Sequence, residues 1–165
     1  MHYYDYYHSP YGRMLLVADN TALTGVYFTG QTYHPHIGKG WVRDTRHGLV
    51  CQAKRELAEY FNGTRAHFTM KIAPRGTPFQ RAVWRTITGV SFGKTISYAE
   101  LARRAGRPGS ARAAGGATGR NPIRIIVPCH RIVGSNGALT GYAGGLTKKR
   151  AFLALEGRSE RGPSH

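Results

Sequence analysis

The sequence is poor in cysteine and in acidic residues, and it has no long hydrophobic run. Two cysteines, Cys51 and Cys129, in 165 residues are too few for a disulfide framework, so we expect two free thiols in a reducing cytoplasm. The longest apolar stretch, residues 123–129, is interrupted by an arginine and a proline. We therefore expect neither a membrane span nor a signal peptide. The length suits one domain or two small ones.

Basic residues outnumber acidic residues by 24 to 8, which gives a formal net charge of +16. Residues 101–155 contain no Asp or Glu, and a surface of one sign favours binding to a polyanion such as nucleic acid. A solvated basic surface is the alternative. An anionic membrane surface fits less well, because no Trp, Phe or Leu stripe accompanies the arginines. The positive residues of this segment are Arg103, Arg104, Arg107, Arg112, Arg120, Arg124, Arg131, Lys148, Lys149 and Arg150.

The first half of the chain, residues 1–75, predicts a small α/β structural domain. Apolar runs at 14–18 and 25–29 predict two strands joined by a hairpin. Residues 30–48 have no period and predict a long loop. Residues 49–61 predict a helix. Its apolar face would consist of Val50, Ala53, Leu57 and Tyr60 or Phe61.

The second half, residues 76–165, predicts a mostly helical domain, so the expected fold class is α+β. A capping-box pattern at Thr77 starts one helix, and a second at Ser97 starts a helix over 98–105. A turn containing two glycines follows, and Ser110 is placed to cap the next helix. Two helices joined by such a turn in a basic segment favour a winged or plain helix-turn-helix. Two packed helices without a ligand are the alternative.

The helix after this turn, residues 111–119, consists almost entirely of alanine and glycine. Each glycine costs a helix roughly 1 kcal/mol relative to alanine. A surface with so little side chain can lie very close to another surface, which is either a neighbouring helix or a nucleic-acid groove. The flanking Arg112 and Arg120 favour DNA.

Cys129 is the best candidate nucleophile. Asn121 and a proline end the small-residue helix, and residues 123–127 predict a buried strand that leads to Cys129 and His130. A thiol reacts as the thiolate, which a neighbouring histidine can help to form. Adjacent residues of an extended segment point to opposite sides, so we expect a bridging water between the two side chains. A buried, inert cysteine is the alternative.

Glu156 is one of few carboxylates able to orient His130. It is predicted to close a helix over 148–156, where a negative charge opposes the helix dipole, so a compensating contact with His130 is expected. An exposed terminal glutamate is the alternative. For Arg131 we expect a structural ion pair.

Metal and cofactor sites are not expected. His34 and His36 have no second Cys or His pair at zinc spacing. The glycine pairs at 115–116 and 144–145 lack the spacing of nucleotide-binding loops.

Residues 121–134 and 141–145 together resemble the active-site signature of the O6-alkylguanine-DNA alkyltransferases, also called methylated-DNA-protein-cysteine methyltransferases. The resemblance extends upstream to the segments 77–80 and 111–113 and downstream to 156–157, so it covers nearly all of the second half. The first half resembles the family only in its α/β pattern and in a short Ser-Pro-Tyr-Gly segment.

The resemblance implies a single-turnover repair protein that flips O6-alkylguanine, and also O4-alkylthymine, out of duplex DNA. By matching position, Cys129 would accept the alkyl group, His130 with a water would be its base, and Glu156 would orient His130. Asn121 would be the hinge between the recognition helix and the active-site turn. Arg112 would fill the space that the flipped base leaves.

The resemblance also implies that the recognition helix enters the minor groove, and that Tyr98 contacts the guanine and crowds a phosphate. The DNA-binding residues would be Arg112, Tyr98, Ala111, Ala113, Gly115 and Arg120. The base pocket would be formed by Tyr142, Ala143, Gly144, Val127, Pro128 and Tyr98.

The partners implied are double-stranded DNA, with weak sequence dependence, and the alkylated guanine base, with no membrane and no cofactor. The protein would be a cytoplasmic, nucleoid-associated monomer that could bind DNA cooperatively. Departures from the family pattern at Ile132, Arg124 and Ala143 leave the tolerated adduct size open. A lesion-binding protein without transfer is one alternative, although such relatives replace the motif cysteine, commonly by tryptophan. A thiol hydrolase using Cys129 and His130 is the other.

Overall fold

The computed structural model describes residues 1–143 and 145–161. The chain forms two compact units. The first comprises Met1–Arg75 together with Pro122–Arg124, and the second comprises Gly76–Asn121 and the chain from Ile125 onward. No sequence pattern predicts that residues 122–124 belong to the first unit.

The first unit is built on a four-stranded sheet. Its strands are β1 (Tyr3–Ser9), β2 (Gly12–Ala18), β3 (Leu23–Phe28) and β4 (Val42–Arg43), in the order β3-β2-β1-β4. The β1/β2 and β2/β3 pairs are antiparallel, and β4 runs parallel to β1. The predicted hairpin is confirmed as β2 and β3.

Strand β1 was not predicted, because it contains four tyrosines and an aspartate in place of aliphatic residues. Asp5 is nevertheless buried, at 3% exposure. Its carboxylate binds the Lys54 ammonium and accepts a hydrogen bond from Arg43 Nε at 2.8 Å. The two cations allow a charged side chain to be buried in the middle of this strand.

Helix α1 (Gly48–Phe61) covers one face of this sheet. Val50, Ala53, Leu57 and Tyr60 are buried, as predicted. Because side chains alternate along a strand, the odd-numbered residues of β1 face α1. Tyr7 accordingly stacks on Phe61 of the helix, with ring centroids 6.5 Å apart.

The second unit is mostly helical, as predicted. Its helices are α2 (Pro78–Thr88), α3 (Tyr98–Arg104), α4 (Ala111–Gly119) and α5 (Leu146–Arg161). Two short parallel strands, β5 (Ile96–Ser97) and β6 (Ile132–Val133), complete it. Within residues 1–143 and 145–161, no helix combines the length and the apolar character that crossing a membrane requires.

Helices α2, α3 and α4 pack on one another around buried apolar side chains. Trp84 of α2 is almost fully buried, and its indole Nε1 donates to the carbonyl oxygen of Ala117 in α4 at 2.8 Å. The hydrogen bond satisfies the one polar atom of the largest core side chain.

The predicted strand over 123–127 is wrong. Ile123 forms a single bridge with Val26, after which the chain turns, and Ile125 adopts a left-handed backbone conformation with φ of 70°. Cys129–Arg131 then form one turn of 3-10 helix, so Cys129 and His130 are not in an extended segment. Burial of the apolar side chains in a turn produces the same sequence pattern as a buried strand.

Helix α5 also differs from its prediction, because it continues through Gly157 to Arg161. Glu156 therefore lies inside the helix and not at its end. The dipole argument for a compensating contact is wrong, although the contact itself is present.

Of the three predicted cap residues, Ser97 accepts a cap hydrogen bond from the Glu100 N–H, whereas Thr77 and Ser110 differ from each other. Thr77 makes a full capping box with Gln80, whereas Ser110 occupies the cap position of α4 without a side-chain cap hydrogen bond. We expect Thr77→Ala to lower the free energy of unfolding by about 1 kcal/mol. Ser110→Ala, the matched control, should change it by less than about 0.5 kcal/mol. Urea unfolding of both variants measures the difference, and equal losses would contradict it.

Candidate active site

Cys129 lies at the start of the 3-10 turn and is buried, at 1% exposure. Its backbone N–H donates to the carbonyl oxygen of Val127 at 2.8 Å. The same carbonyl oxygen accepts a hydrogen bond from Asn121 Nδ2 at 2.8 Å. Asn121, at the end of α4, thus fixes the backbone two residues before the thiol.

A buried network of three charged or polar side chains follows the thiol. His130 Nε2 and Glu156 Oε2 are 2.5 Å apart. Arg131 donates from Nε to Glu156 Oε1 at 2.8 Å and from Nη2 to Oε2 at 3.1 Å. The third guanidinium nitrogen, Nη1, donates to the carbonyl oxygen of Val90 at 2.6 Å. The expected His130–Glu156 contact and the expected Arg131 ion pair are both present.

The electrostatics of this network define the state of His130. Burial by itself raises the pKa of Glu156, but hydrogen bonds from His130 and Arg131, the positive charge of Arg131 and, once protonated in acid, that of His130 outweigh it and hold the pKa at about 2. Burial lowers the pKa of His130, and the attraction of Glu156 only partly offsets this. Glu156 is therefore ionised and His130 is neutral near pH 7.

An ionised Glu156 can only accept a hydrogen bond, so the proton of the neutral His130 ring lies on Nε2. The other ring nitrogen, Nδ1, then carries a free lone pair. Nδ1 is buried and has no hydrogen-bond partner among the residues that the structure describes. His130 Nδ1 is therefore a buried base that is free to accept a proton.

Lys149 was counted as a surface cation but is fully buried. Its ammonium donates to the carbonyl oxygens of Thr140 at 2.8 Å and Gly141 at 3.4 Å, and lies 5.7 Å from the centroid of the Tyr98 ring. Burial lowers the pKa of Lys149, while the negative charge of Cys129 as a thiolate raises it in part.

The sequence signal for Lys149 is its helical spacing. Lys149, Phe152 and Glu156 are three and four residues apart, so they lie on one face of α5, and all three are buried. Phe152 was also missed. Its ring meets the His130 and Tyr142 rings edge-on, with centroids 5.6 and 6.2 Å away.

The other predicted pocket residues fall into two groups. Val127 and Pro128 are buried beside Cys129, whereas Tyr98, Tyr142 and Ala143 are half-buried. Burial raises the pKa of Tyr98, and the negative charge of Cys129 as a thiolate adds to the shift. Gly144 lies outside the described residues.

Helix α4 presents a surface of small side chains flanked by cations. Arg112, Ala113 and Arg120 are exposed, and Ala111 and Gly115 are half-buried. A Cβ atom added to Gly115 would meet the Tyr98 ring at 3.7 Å, and one added to Gly116 would meet nothing within 4 Å. The exposed face is therefore open for close approach by another surface.

Fewer of the positive residues in 101–155 are exposed and unpaired than the sequence predicts. Of the ten positive residues in 101–155, Arg124, Arg131 and Lys149 are buried. Arg103 and Arg104 are exposed but both bind the Glu100 carboxylate, at 2.5 and 2.6 Å. Sequence patterns count a charge whether it is buried or exposed. The exposed positive surface of the unit is thus smaller than the composition indicates.

The described part of the chain contains no cluster of three or more His, Cys, Asp or Glu side chains that could hold a metal ion.

Two family models match the chain, one for each half. The model described as "6-O-methylguanine DNA methyltransferase, DNA binding domain" matches residues 78–158. The model described as "6-O-methylguanine DNA methyltransferase, ribonuclease-like domain" matches residues 2–74.

Curated relatives carry the same kind of name. A methylated-DNA–protein-cysteine methyltransferase of Mycolicibacterium paratuberculosis is 44% identical over 91% of this chain and 89% of its own length. One from Methanosarcina acetivorans is 43% identical over 94% of this chain and 98% of its own length.

Solved structures agree with the fold. The O6-methylguanine methyltransferase of Mycobacterium tuberculosis superposes with a TM-score of 0.86 at 42% identity, covering 100% of this chain and 97% of that one. The M. tuberculosis OGT in complex with DNA gives a TM-score of 0.86 at 41% identity, covering 98% and 96% of the two chains.

Proposed function

The chain belongs to the 6-O-methylguanine DNA methyltransferase family and acts in direct-reversal DNA repair, and on that premise we propose that Cys129 accepts the alkyl group. The observation that carries this proposal is the buried His130 Nδ1, which has no partner within the described residues and lies on the residue next to the thiol. The Glu156–Arg131 pair holds His130 in the tautomer that can take a proton there.

The reaction balances without a further reactant. The Cys129 thiol gives its proton to His130 Nδ1 through one water, and the thiolate sulfur attacks the alkyl carbon on O6. The S–C bond forms as the C–O6 bond breaks, and the electron pair of the broken bond returns to the purine. The purine gains one proton at N1 as it becomes guanine, so the thiol proton ends on the base. Water does not hydrolyse the S–C bond of a thioether, so the thiol is not regenerated and each protein molecule acts once.

The burial of Cys129 supports base flipping. A thiol at 1% exposure cannot approach the O6 atom of a base that stays stacked in the duplex. The base must leave the stack and enter the protein, at a cost of a few kcal/mol. Exposed Arg112 on α4 is placed to offset this cost by filling the space left in the duplex.

The helix pair α3 and α4 would hold the DNA. The Ala and Gly surface of α4 fits close approach in a narrow groove, with Ala111, Ala113 and Gly115 at the contact. Arg120 at the end of the helix would bind a phosphate. Contacts of this kind do not distinguish base sequences, so binding is expected to depend weakly on sequence.

The remaining residues would build the base pocket. Tyr98, Val127 and Pro128 form its walls near the thiol, and Tyr142 and Ala143 close it. Lys149 would act as a positioning residue, because its hydrogen bonds to residues 140 and 141 tie the chain before Tyr142 to helix α5. Asn121 would keep the Cys129 turn in register with the end of α4.

We further propose that the protein works as a monomer on chromosomal DNA in the cytoplasm. The residues proposed for transfer, namely Asn121, Cys129, His130 and Glu156, all belong to the second unit of one chain. A second copy is not required to complete it.

An intact-protein mass spectrum after mixing with excess duplex that carries one O6-methylguanine tests the proposal. We expect a mass gain of one methyl group that saturates at one per molecule, and peptide mapping should place it on Cys129. Methylation of Cys51, or bound duplex with no mass gain, would contradict it. The second result would favour a lesion-binding protein. Turnover of a small ester or peptide without methyl gain would favour a thiol hydrolase.

Arg112→Ala should distinguish alkyl transfer to Cys129 from the flipping of the base out of the duplex. We expect the variant to react with free O6-benzylguanine at the wild-type rate but to repair duplex DNA at least about tenfold more slowly, because flipping costs a few kcal/mol. Arg85→Ala removes another exposed arginine, from α2, and is the matched control. Single-turnover rates with both substrates measure the effect. Equal slowing with base and duplex would show that Arg112 does not enter the duplex.

A further inference from the structure

The first unit contains a cavity of about 170 Å³ on the sheet face opposite α1. Because β1 residues alternate, Tyr4 lies on this face, and its cross-strand partners Val17 and Gly25 lie there too. Val17 forms the floor of the cavity, and the rings of Tyr27, Trp41 and His2 form walls, together with Pro35 and Pro122. All of these residues belong to the first unit, so the cavity is separate from the Cys129 site.

Two glycines show that the aromatic walls are placed by close packing. A Cβ atom added to Gly25 would lie 2.5 Å from Cε2 of Tyr27, so the Tyr27 ring lies directly over the backbone of β3. A Cβ atom added to Gly38 would lie 2.7 Å from Nε1 of Trp41. The walls therefore depend on the absence of a side chain at these two positions.

The aromatic walls are also supported from behind. The His2 and Trp41 rings are 4.8 Å apart at 38°, and Tyr4 lies 6.3 Å from Trp41. The Tyr27 ring lies 5.8 Å from His34. A set of supported rings around an open space offers stacking surfaces for a flat guest.

Buried histidine nitrogens of the first unit have no partner among the described residues, and one of them belongs to a residue that lines the cavity. His2 Nδ1 and His34 Nε2 are both out of contact with solvent and make no hydrogen bond within the part of the chain that the structure describes. His2 lines the cavity directly, whereas His34 does not line it, although its ring centroid is 5.8 Å from that of the lining residue Tyr27. Buried nitrogens of this kind are normally satisfied, so they indicate a polar guest.

The rim of the cavity is positive. Arg75 lines it with a side chain that is 68% exposed, held loosely at 3.7 Å from the half-exposed Asp19 carboxylate. Thr24 adds a hydroxyl. On the same sheet face, Arg13 and Arg43 lie over the Tyr6 ring, at 4.3 and 5.3 Å from its centroid. Of these three arginines only Arg75 lines the cavity, so an anionic group on the guest would meet Arg75, in competition with its 3.7 Å contact to Asp19.

We propose that this cavity binds a single nucleobase, with the phosphate of the same nucleotide on Arg75. The aromatic walls would stack on the base, His2 would hydrogen-bond its edge, and Arg75 would bind the phosphate, which is the combination that proteins use for unpaired nucleic acid. The volume is below the range of about 300–1,000 Å³ typical of pockets for larger ligands, which favours one flat ring system. A free nucleotide and an unpaired nucleotide of a DNA strand present the same chemistry.

The inference extends the proposed function without depending on Cys129. The site lies in the other unit and involves no covalent step. Methyl transfer and nucleotide binding can therefore be measured in the same protein and can fail independently.

Titration with thymidine 5′-monophosphate, followed by tryptophan fluorescence, tests the site. The protein has two tryptophans. Trp84 is buried with its indole nitrogen bonded, so quenching reports on Trp41. Deoxyribose 5-phosphate is the control without a base. A six-nucleotide thymidylate strand distinguishes a free nucleotide from an unpaired nucleotide of DNA as the natural guest. Tighter binding of the strand indicates DNA as the source, and equal binding indicates the free nucleotide.

Gly25→Ala is the decisive variant, because it displaces the Tyr27 ring without removing a polar group. Gly48→Ala, at a position where a Cβ meets nothing within 4 Å, is its matched control. We expect saturable quenching by thymidine 5′-monophosphate, weakened about tenfold by Gly25→Ala through loss of one stacking surface and unchanged by Gly48→Ala. Trp41→Leu is the second variant, for use if Gly25→Ala does not fold. It is assayed by equilibrium dialysis, and we expect it to weaken binding by a similar factor.

Reaction of each variant with free O6-benzylguanine at Cys129 shows that the second unit is intact. Three results would overturn the proposal. The first is absence of quenching, and the second is binding of deoxyribose 5-phosphate as tight as that of the nucleotide. The third is equal affinity in wild type, Gly25→Ala and Trp41→Leu.

Discussion

Replacing Cys129 with alanine is expected to abolish methyl transfer completely while leaving affinity for duplex DNA within about twofold, because the thiol is the acceptor and makes no contribution to phosphate binding. The substitution removes a small buried group, so we expect a loss of only about 1 kcal/mol in the free energy of unfolding. Mass spectrometry and a salt-dependent DNA-binding titration of the same preparation measure the two effects.

The second cysteine supplies the control for this experiment. Cys51 is half-buried on α1, and its thiol lies 3.4 Å from the carbonyl oxygen of Thr45. Cys51→Ala should transfer methyl groups at the wild-type rate. Residual methylation of the Cys129→Ala protein, at any residue, would show that the acceptor has been misassigned.

Glu156→Gln is expected to have the largest effect on stability. The substitution keeps the volume but removes the only carboxylate that Arg131 binds within the described residues, and it leaves a buried guanidinium uncompensated. Breaking a buried pair in this way costs about 3–5 kcal/mol. Glu59→Gln, which breaks the 2.8 Å pair with Arg65 at a partly exposed site, is the control and should cost less than about 1 kcal/mol. Comparable losses in the two variants would contradict the network.

The pH dependence of stability follows from the two shifted groups. The pKa of Glu156 is lowered from 4.5 to about 2, so its contribution is complete above pH 4.5 and is lost as the pH falls toward 2. The pKa of His130 is lowered from 6.5, so the unfolded chain gains a proton first and stability also falls as the pH drops below 6.5. In Glu156→Gln the loss between pH 4.5 and 2 should be smaller than in wild type, as urea unfolding across this range would show.

Transfer by Glu156→Gln reports on positioning and not only on stability. We expect the single-turnover rate to fall by at least about 100-fold, since assistance by a general base is worth roughly 10²–10⁴. Because Glu156 raises the pKa of His130, its removal should also move the acid limb of the rate profile to lower pH. A merely structural role would lower the amount of folded protein without moving that limb.

Local signals in the sequence predicted much of the fold because they describe contacts between near neighbours. The Thr77 capping box and the apolar face of α1 involve residues three or four apart, and both are confirmed. The α3–turn–α4 arrangement was predicted for the same reason. The His130–Glu156 contact was also predicted, but from a dipole argument that the longer α5 makes wrong.

Long-range compensation is what the sequence did not reveal. Strand β1 tolerates Asp5 because Lys54, 49 residues later, binds it. The apolar run before Cys129 turns at Ile125 because its first residues pair with β3. Lys149 is buried because carbonyl oxygens eight and nine residues earlier accept hydrogen bonds from its ammonium group. In each case the residue that makes the stabilising contact lies further away in the sequence than the few residues over which a helix or strand pattern repeats.

Residues 122–124 have a consequence for how the protein is made. The outer edge of β3 is shared between residues 71–73, which bond to Leu23, and residues 122–124, which bond to Val26. Strand β3 therefore stays partly unpaired until residue 124 has left the ribosome, even though the rest of its unit ends at Arg75. At roughly 5–20 residues per second, this edge is open for a few seconds during synthesis. A fragment of residues 1–75 would keep that open edge permanently, which makes it prone to pair with other chains.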